Sequence, residues 1–127
     1  MGRELYMVVV VVADMGRAVE FYQRLGLDIP PEAVNERAVP VKMGELTFLL
    51  TSRRASASWL PEGAEPASSS GIVLEFYLEN RAAVEALYAA MVGYGYEGYR
   101  APFQTSFGPY FALLKDPDGN TILLSAD

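Results

Sequence analysis

Glu75 is the residue whose type and setting most invite chemistry. It sits inside the run Ile72-Val73-Leu74-Glu75-Phe76-Tyr77-Leu78. A carboxylate among apolar neighbours needs a partner or a proton. Such a group can anchor a cationic or hydrogen-bonding ligand, and with a tyrosine it can move a proton. A structural ion pair, a dimer contact or an exposed strand end would account for it equally well. Arg100, Lys42 and Arg37 are partners that the sequence does not rank. Tyr94, Tyr96, Tyr99, Phe103, Phe107, Tyr110 and Phe111 form a dense aromatic group, suited either to stacking on a flat ligand or to ordinary packing. Trp59 stands in a polar stretch and must dock somewhere, because its apolar area is costly to leave wet; the mouth of a ligand cleft is one such place. The chain has no histidine and no cysteine, which removes Ser–His–Asp and Cys–His nucleophiles. No glycine-rich loop has the spacing of a nucleotide site.

The elements that must position these residues come from a chain of 127 residues, suited to one domain, of which 51% is hydrophobic. A net charge of -6 argues against a nucleic-acid partner, whose binders carry a basic face. The adjacent pair Arg53-Arg54 reads as a solvated loop. Absence of cysteine suits a reducing compartment, so a cytoplasmic location is expected. Residues 6–13 are apolar, but they are far fewer than the roughly 20 that a membrane helix needs. Their consecutive valines favour a strand, because β-branching suits a pleated surface. No membrane partner is expected.

Two stretches share one pattern. A strand at 6–13 leads to Asp14, a good helix N-cap, then to Ala18, Phe21, Tyr22 and Leu25 on one helical face, then to Gly26 where a left-handed residue is wanted. A strand at 71–78 leads to Asn80, to Val84, Leu87, Tyr88 and Met91, and to Gly93. Tyr22 and Tyr88 hold the same place in their helices. The matched series predicts an internal duplication, with one repeat at about 4–52, a surface linker at about 53–70 and a second repeat at about 71–127. Further strands are expected at 37–43, 46–51, 97–101, 110–115 and 121–125. Asp116-Pro117-Asp118-Gly119-Asn120 has the composition of a hairpin turn, so its acids are read as turn chemistry.

Specific segments resemble the vicinal-oxygen-chelate superfamily (glyoxalase I, bleomycin-resistance proteins and extradiol dioxygenases). Asp14-Met15-Gly16-Arg17-Ala18-Val19-Glu20-Phe21-Tyr22-Gln23-Arg24-Leu25-Gly26 is similar to its first-helix signature. Lys115-Asp116-Pro117-Asp118-Gly119-Asn120 is similar to its last hairpin, and Pro102-Phe103-Gln104-Thr105-Ser106-Phe107-Gly108 to the segment before it. The resemblance implies an α+β fold of two tandem βαβββ units whose curved sheets form a cleft. It also implies a divalent metal held by four strand positions, which fall here on Met7, Leu49, Val73 and Leu123. None of these can replace imidazole or carboxylate around such a cation. The chain is therefore similar to the metal-free, bleomycin-resistance-like members. Metal-dependent glyoxalase or dioxygenase activity is not expected, nor is a cofactor.

Strand alternation then gives a candidate ligand cleft. Met7, Val9, Leu49, Val73, Glu75, Tyr77, Phe103, Phe107, Phe111, Leu113 and Leu123 line it, and Trp59 lies near its mouth. The expected activity is binding of a small, partly aromatic molecule, an antibiotic or a metabolite. The alternative is a metal-independent isomerase or lyase with Glu75 as its candidate catalytic group beside tyrosines. By analogy with the family, the partner is a second copy of the chain.

Overall fold

Two amphipathic helices and the sheets they cover supply most of the core. The computed structural model describes residues 2–61 and 71–127, and these form two compact units. Each is built from strands and helices, as the α+β reading requires. No described helix is long and apolar enough to cross a membrane.

In the first unit, β1 (Met7–Val12) runs parallel to β3 (Leu46–Ser52), and β2 (Ala38–Met43) pairs antiparallel to β3, giving the order β1-β3-β2. Helix α1 (Met15–Leu25) follows β1, and Asp14 accepts the Arg17 backbone N–H at 3.0 Å as its N-cap. Ala18, Phe21 and Tyr22 are fully buried, as are Val12 and Leu50 on the sheet. Val8, Val10 and Val12 share the α1 side with Phe48 and Leu50, their register partners being Phe48, Leu50 and Ser52. Met7, Val9 and Val11 take the other side, opposite Thr47, Leu49 and Thr51. The family pattern places four strands in such a unit; the described residues of this one contain three. Pro30 and Pro31 stand in the gap, where a 3₁₀ turn forms at Pro31–Asn35. Proline brings no N–H to a ladder, so a strand is poorly supported there.

The linker reading needs correction at its start. Ser52 accepts the Ala55 N–H at 3.0 Å and caps a short helix, α2 (Arg53–Ser56). Arg53 and Arg54 are thus exposed helical residues rather than loop. Residues 62–70, the rest of the expected linker, lie outside the described residues.

In the second unit, β4 (Val73–Tyr77) is parallel to β7 (Thr121–Ala126). Strands β5 (Gly98–Gln104) and β6 (Tyr110–Lys115) complete the order β4-β7-β6-β5. Helix α3 (Arg81–Gly93) packs on β5, β6 and β7. Asn80 caps it, accepting the Ala83 N–H at 2.8 Å. Val84 and Met91 are fully buried beneath α3 with Ala112, Leu114, Ile122 and Leu124.

The helix ends differ from expectation in one respect. Gly26 closes α1 with φ 118°, but Gly93 lies within α3, and Gly95 is the left-handed residue at φ 100°. Both ends still form one motif. Leu27 and Tyr96 donate to Tyr22 O and Met91 O, while Gly26 and Gly95 donate to Gln23 O and Val92 O. The left-handed residue thus falls two positions later than expected. Tyr22 and Tyr88 also diverge: Tyr22 is fully buried, whereas Tyr88 is half-buried. The Tyr88 hydroxyl occupies the space a Cβ would need at Gly98.

Candidate functional site

The candidate residues divide between the two units. In the first, Met7 pairs with Thr47 and Val9 with Leu49, so Met7 and Leu49 lie diagonally across two strands on the face opposite α1. In the second, Val73 pairs with Thr121 and Glu75 with Leu123, which places Val73 and Leu123 on the same diagonal of their own sheet. The positions that the family resemblance assigns to a metal therefore occupy matching places in each sheet. Their chemistry does not fit that role, being one thioether and three alkyl groups. Among the described residues, no group of three or more His, Cys, Asp or Glu could hold a metal.

Trp59 belongs to the first unit and departs from expectation. It follows α2, its backbone N–H donates to Ser56 O, and it is 58% exposed. Most of its indole is left wet, so it does not dock as its apolar area led us to expect.

The second sheet has the richer surface. Cross-strand pairing arranges its face opposite α3 in rows. Glu75 pairs with Leu123, Leu123 with Leu113, and Leu113 with Arg100. In the adjacent row, Tyr77 pairs with Ser125, Ser125 with Phe111, and Phe111 with Phe103. Val73 and Tyr77 are 49% and 64% exposed, while Leu123 and Ser125 beside them are buried. This floor is apolar with few polar points, the usual make-up of a small-molecule surface.

Glu75 finds its partner on this face. The Ser125 hydroxyl donates to its Oε2 at 2.8 Å. Of the basic residues suggested by sequence, Arg100 ends Glu75's row on the far strand. Two tyrosines of this unit are committed elsewhere, Tyr77 on this face and Tyr110 on the α3 side. Tyr77 donates its hydroxyl to Asp127 at 2.7 Å, and Tyr110 donates to Glu85 at 2.8 Å. These hydrogen bonds, followed by burial and the adjacent negative charge, raise both phenols above their ordinary value. Neither is set up to exchange a proton with Glu75.

The aromatic group separates into local sets. Phe103 and Phe107 each meet Phe111 edge-on, at centroid distances of 6.2 and 5.8 Å. Tyr94 and Tyr96 meet one another. Tyr99 lies under the Lys115 ammonium, which is 4.2 Å from its centroid. Arg100, Phe103, Gln104, Thr105, Ser106, Phe107 and Phe111 enclose an open pocket of about 430 Å³. Arg100 is the residue that sequence reasoning passed over as part of a site. Simple alternation puts positions three apart on opposite faces. Register shifts on either side of Arg100 bring it and Phe103 to the same face, with its guanidinium carbon 3.5 Å from the ring centroid. Only the β-bulge reveals this.

The hairpin acids act as expected. Asp116 is 5% exposed; its carboxylate accepts the backbone N–H groups of Asp118 and Asn120 and the Asn120 side-chain amide, at 2.8–2.9 Å. It organises the turn between β6 and β7.

The fold recurs in known structures. A glyoxalase/bleomycin resistance protein from Albidiferax ferrireducens T118 is 27% identical, with a TM-score of 0.72, covering 97% of this chain and 98% of that one. A glyoxalase/bleomycin resistance protein/dioxygenase family enzyme from Burkholderia phytofirmans PsJN is 19% identical, with a TM-score of 0.77 and 98% coverage of both chains. A lactoylglutathione lyase from Agrobacterium tumefaciens is 18% identical, with a TM-score of 0.70, covering 98% of this chain and 94% of that one. At such identities the last two speak for the fold alone. No curated protein matches the chain. A family model does match, over residues 5–124. With the helix signature and the last hairpin turn both falling inside that span, the chain belongs to the Glyoxalase/Bleomycin resistance protein/Dioxygenase superfamily.

Proposed function

We propose that this protein binds a small, partly aromatic molecule, an antibiotic or metabolite, without a metal. One observation carries the reading. The Glu75 carboxylate, oriented by Ser125 at 2.8 Å, stands among Val73, Tyr77 and Leu123 on the sheet face opposite α3. A carboxylate anchor on an apolar floor suits a planar body that bears a cationic or donor group. Met7, Val9 and Leu49 present a similar apolar face in the first unit. The donor chemistry of Met7, Leu49, Val73 and Leu123 supports binding over metal-assisted turnover. The commitment of Tyr77 and Tyr110 to other carboxylates supports binding over a Glu75–tyrosine proton transfer. In this reading the protein works in the cytoplasm as a homodimer. Sedimentation at a monomer's mass would remove the dimer and leave the binding claim standing. Calorimetric titration with aromatic amines and ring-matched neutral analogues tests the function: preference for the amines is expected, and indifference between the two series counts against it.

A further inference from the structure

The pocket walled by Phe103, Phe107 and Phe111 is a second feature of the same sheet face, and among the described residues that line it the one charged group is the Arg100 guanidinium. Among the described residues, that guanidinium makes no ion pair; its contact is the face of Phe103, 3.5 Å away. A guanidinium laid flat on a ring still presents its N–H edge outward, and that fork matches a carboxylate in two parallel hydrogen bonds. The polar groups of the surrounding turn are largely satisfied within it. Gln104 Nε2 donates to Gly108 O at 2.7 Å and Thr105 Oγ1 donates to Pro109 O at 2.6 Å. The charge left to meet a ligand is therefore positive. The edges of Phe107 and Phe111 offer an aromatic body the offset and T-shaped contacts that ring pairs prefer.

We infer that this pocket binds the acidic end of a planar aromatic carboxylate, with Arg100 gripping the carboxylate and the three phenylalanines holding the ring. The inference deepens the binding function proposed above and rests on it. Glu75 and Arg100 lie at opposite ends of one four-strand row with Leu123 and Leu113 between them. At about 4.8 Å per strand the two ends are about 14 Å apart. The face therefore has one anionic and one cationic pole on an apolar floor, and the natural ligand class is an extended aromatic acid that also carries a donor or cationic group.

Calorimetry with three ring-matched probes tests this: naphthoate, naphthamide and naphthylmethylamine. Wild type should bind naphthoate more tightly than naphthamide. Arg100→Gln should weaken naphthoate roughly five- to tenfold, the size of a bidentate charge-assisted hydrogen bond at an exposed site. The same change should alter naphthamide by less than about twofold, and Phe103→Ala should weaken both, because the shared ring contact is lost. Amide-resolved NMR should place the naphthoate shifts at residues 100–111. Equal naphthoate affinity in wild type and Arg100→Gln overturns the inference, as does equal affinity of wild type for naphthoate and naphthamide. If naphthylmethylamine still loses affinity on Glu75→Gln in that case, only the acidic-end assignment falls. If wild type binds none of the probes, both readings fall.

Discussion

Replacing Glu75 by glutamine removes one charge and little else, which makes it the sharpest perturbation of the proposed binding face. An amide oxygen can still accept the Ser125 hydroxyl that now lies 2.8 Å from Oε2, so the buried serine keeps its partner. Alanine would orphan that hydroxyl, and an unsatisfied buried donor costs about 1–3 kcal/mol on its own. A hydrogen bond to a charged group contributes about 1.5–3 kcal/mol against about 0.5–1.5 for a neutral one. Swapping one for the other removes about 1–1.5 kcal/mol, which is close to tenfold in affinity. Glu75 is an exposed residue, so screening by water holds the effect at that end of the range. An aromatic amine titrated by calorimetry should therefore bind Glu75→Gln roughly tenfold more weakly, while its neutral analogue changes little. The wild-type affinity for the amine should fall with added salt, and that of the variant should not. Equal affinities for the amine, with equal salt dependence, would refute the anchoring role and leave Glu75 as a structural partner of Ser125.

Three further outcomes follow from the same geometry. Asp116→Ala removes the acceptor of three hydrogen bonds in the last hairpin and should cost roughly 2–4 kcal/mol of stability by denaturant unfolding; a loss under about 1 kcal/mol would mean the turn holds without it. The raised phenols of Tyr77 and Tyr110 contribute stability that is present in full below the ordinary phenol value of about 10 and is lost as pH rises through their higher folded values. Alkaline ultraviolet titration should find two late phenols, and Asp127→Ala should return Tyr77 toward the ordinary range; an unchanged profile would count against the Asp127 contact as the cause. Elemental analysis of the purified protein should find no stoichiometric transition metal, because Met7, Leu49, Val73 and Leu123 supply no suitable donors. One metal per chain, removable by chelator with loss of ligand binding, would reverse that conclusion.

Local rules made much of the fold legible. Asp14 and Asn80 announced their helices because a short acceptor before an apolar series can satisfy the first-turn N–H groups and little else in such a place. The family resemblance set Met7 on the side away from the helix, and alternation then put Val8, Val10 and Val12 on the side that meets α1, since a strand has only two faces. Asp116 to Asn120 carried its turn in its composition. The apolar character of the four family metal positions was likewise plain from residue type.

Other features depended on what long-range packing selects. Gly93 and Gly95 are equally capable of a left-handed turn, and only the folded chain shows that α3 continues through Gly93 and turns at Gly95. Trp59 is apolar enough to seek cover, yet burial requires a surface to meet, and that is a property of the tertiary structure alone. Glu75 was identifiable as a charge in an apolar run, but Ser125, 50 positions away, became its partner only through the pairing of β4 with β7. Arg100 shows the division most clearly. Its charge is written in the sequence, while its place over Phe103 comes from register shifts in β5, which exist only once β5 and β6 have paired. Sequence by itself determined which side chains this protein has to offer and which elements carry them. Tertiary structure decided which of them share a face, because register and bulges depend on the partner strand.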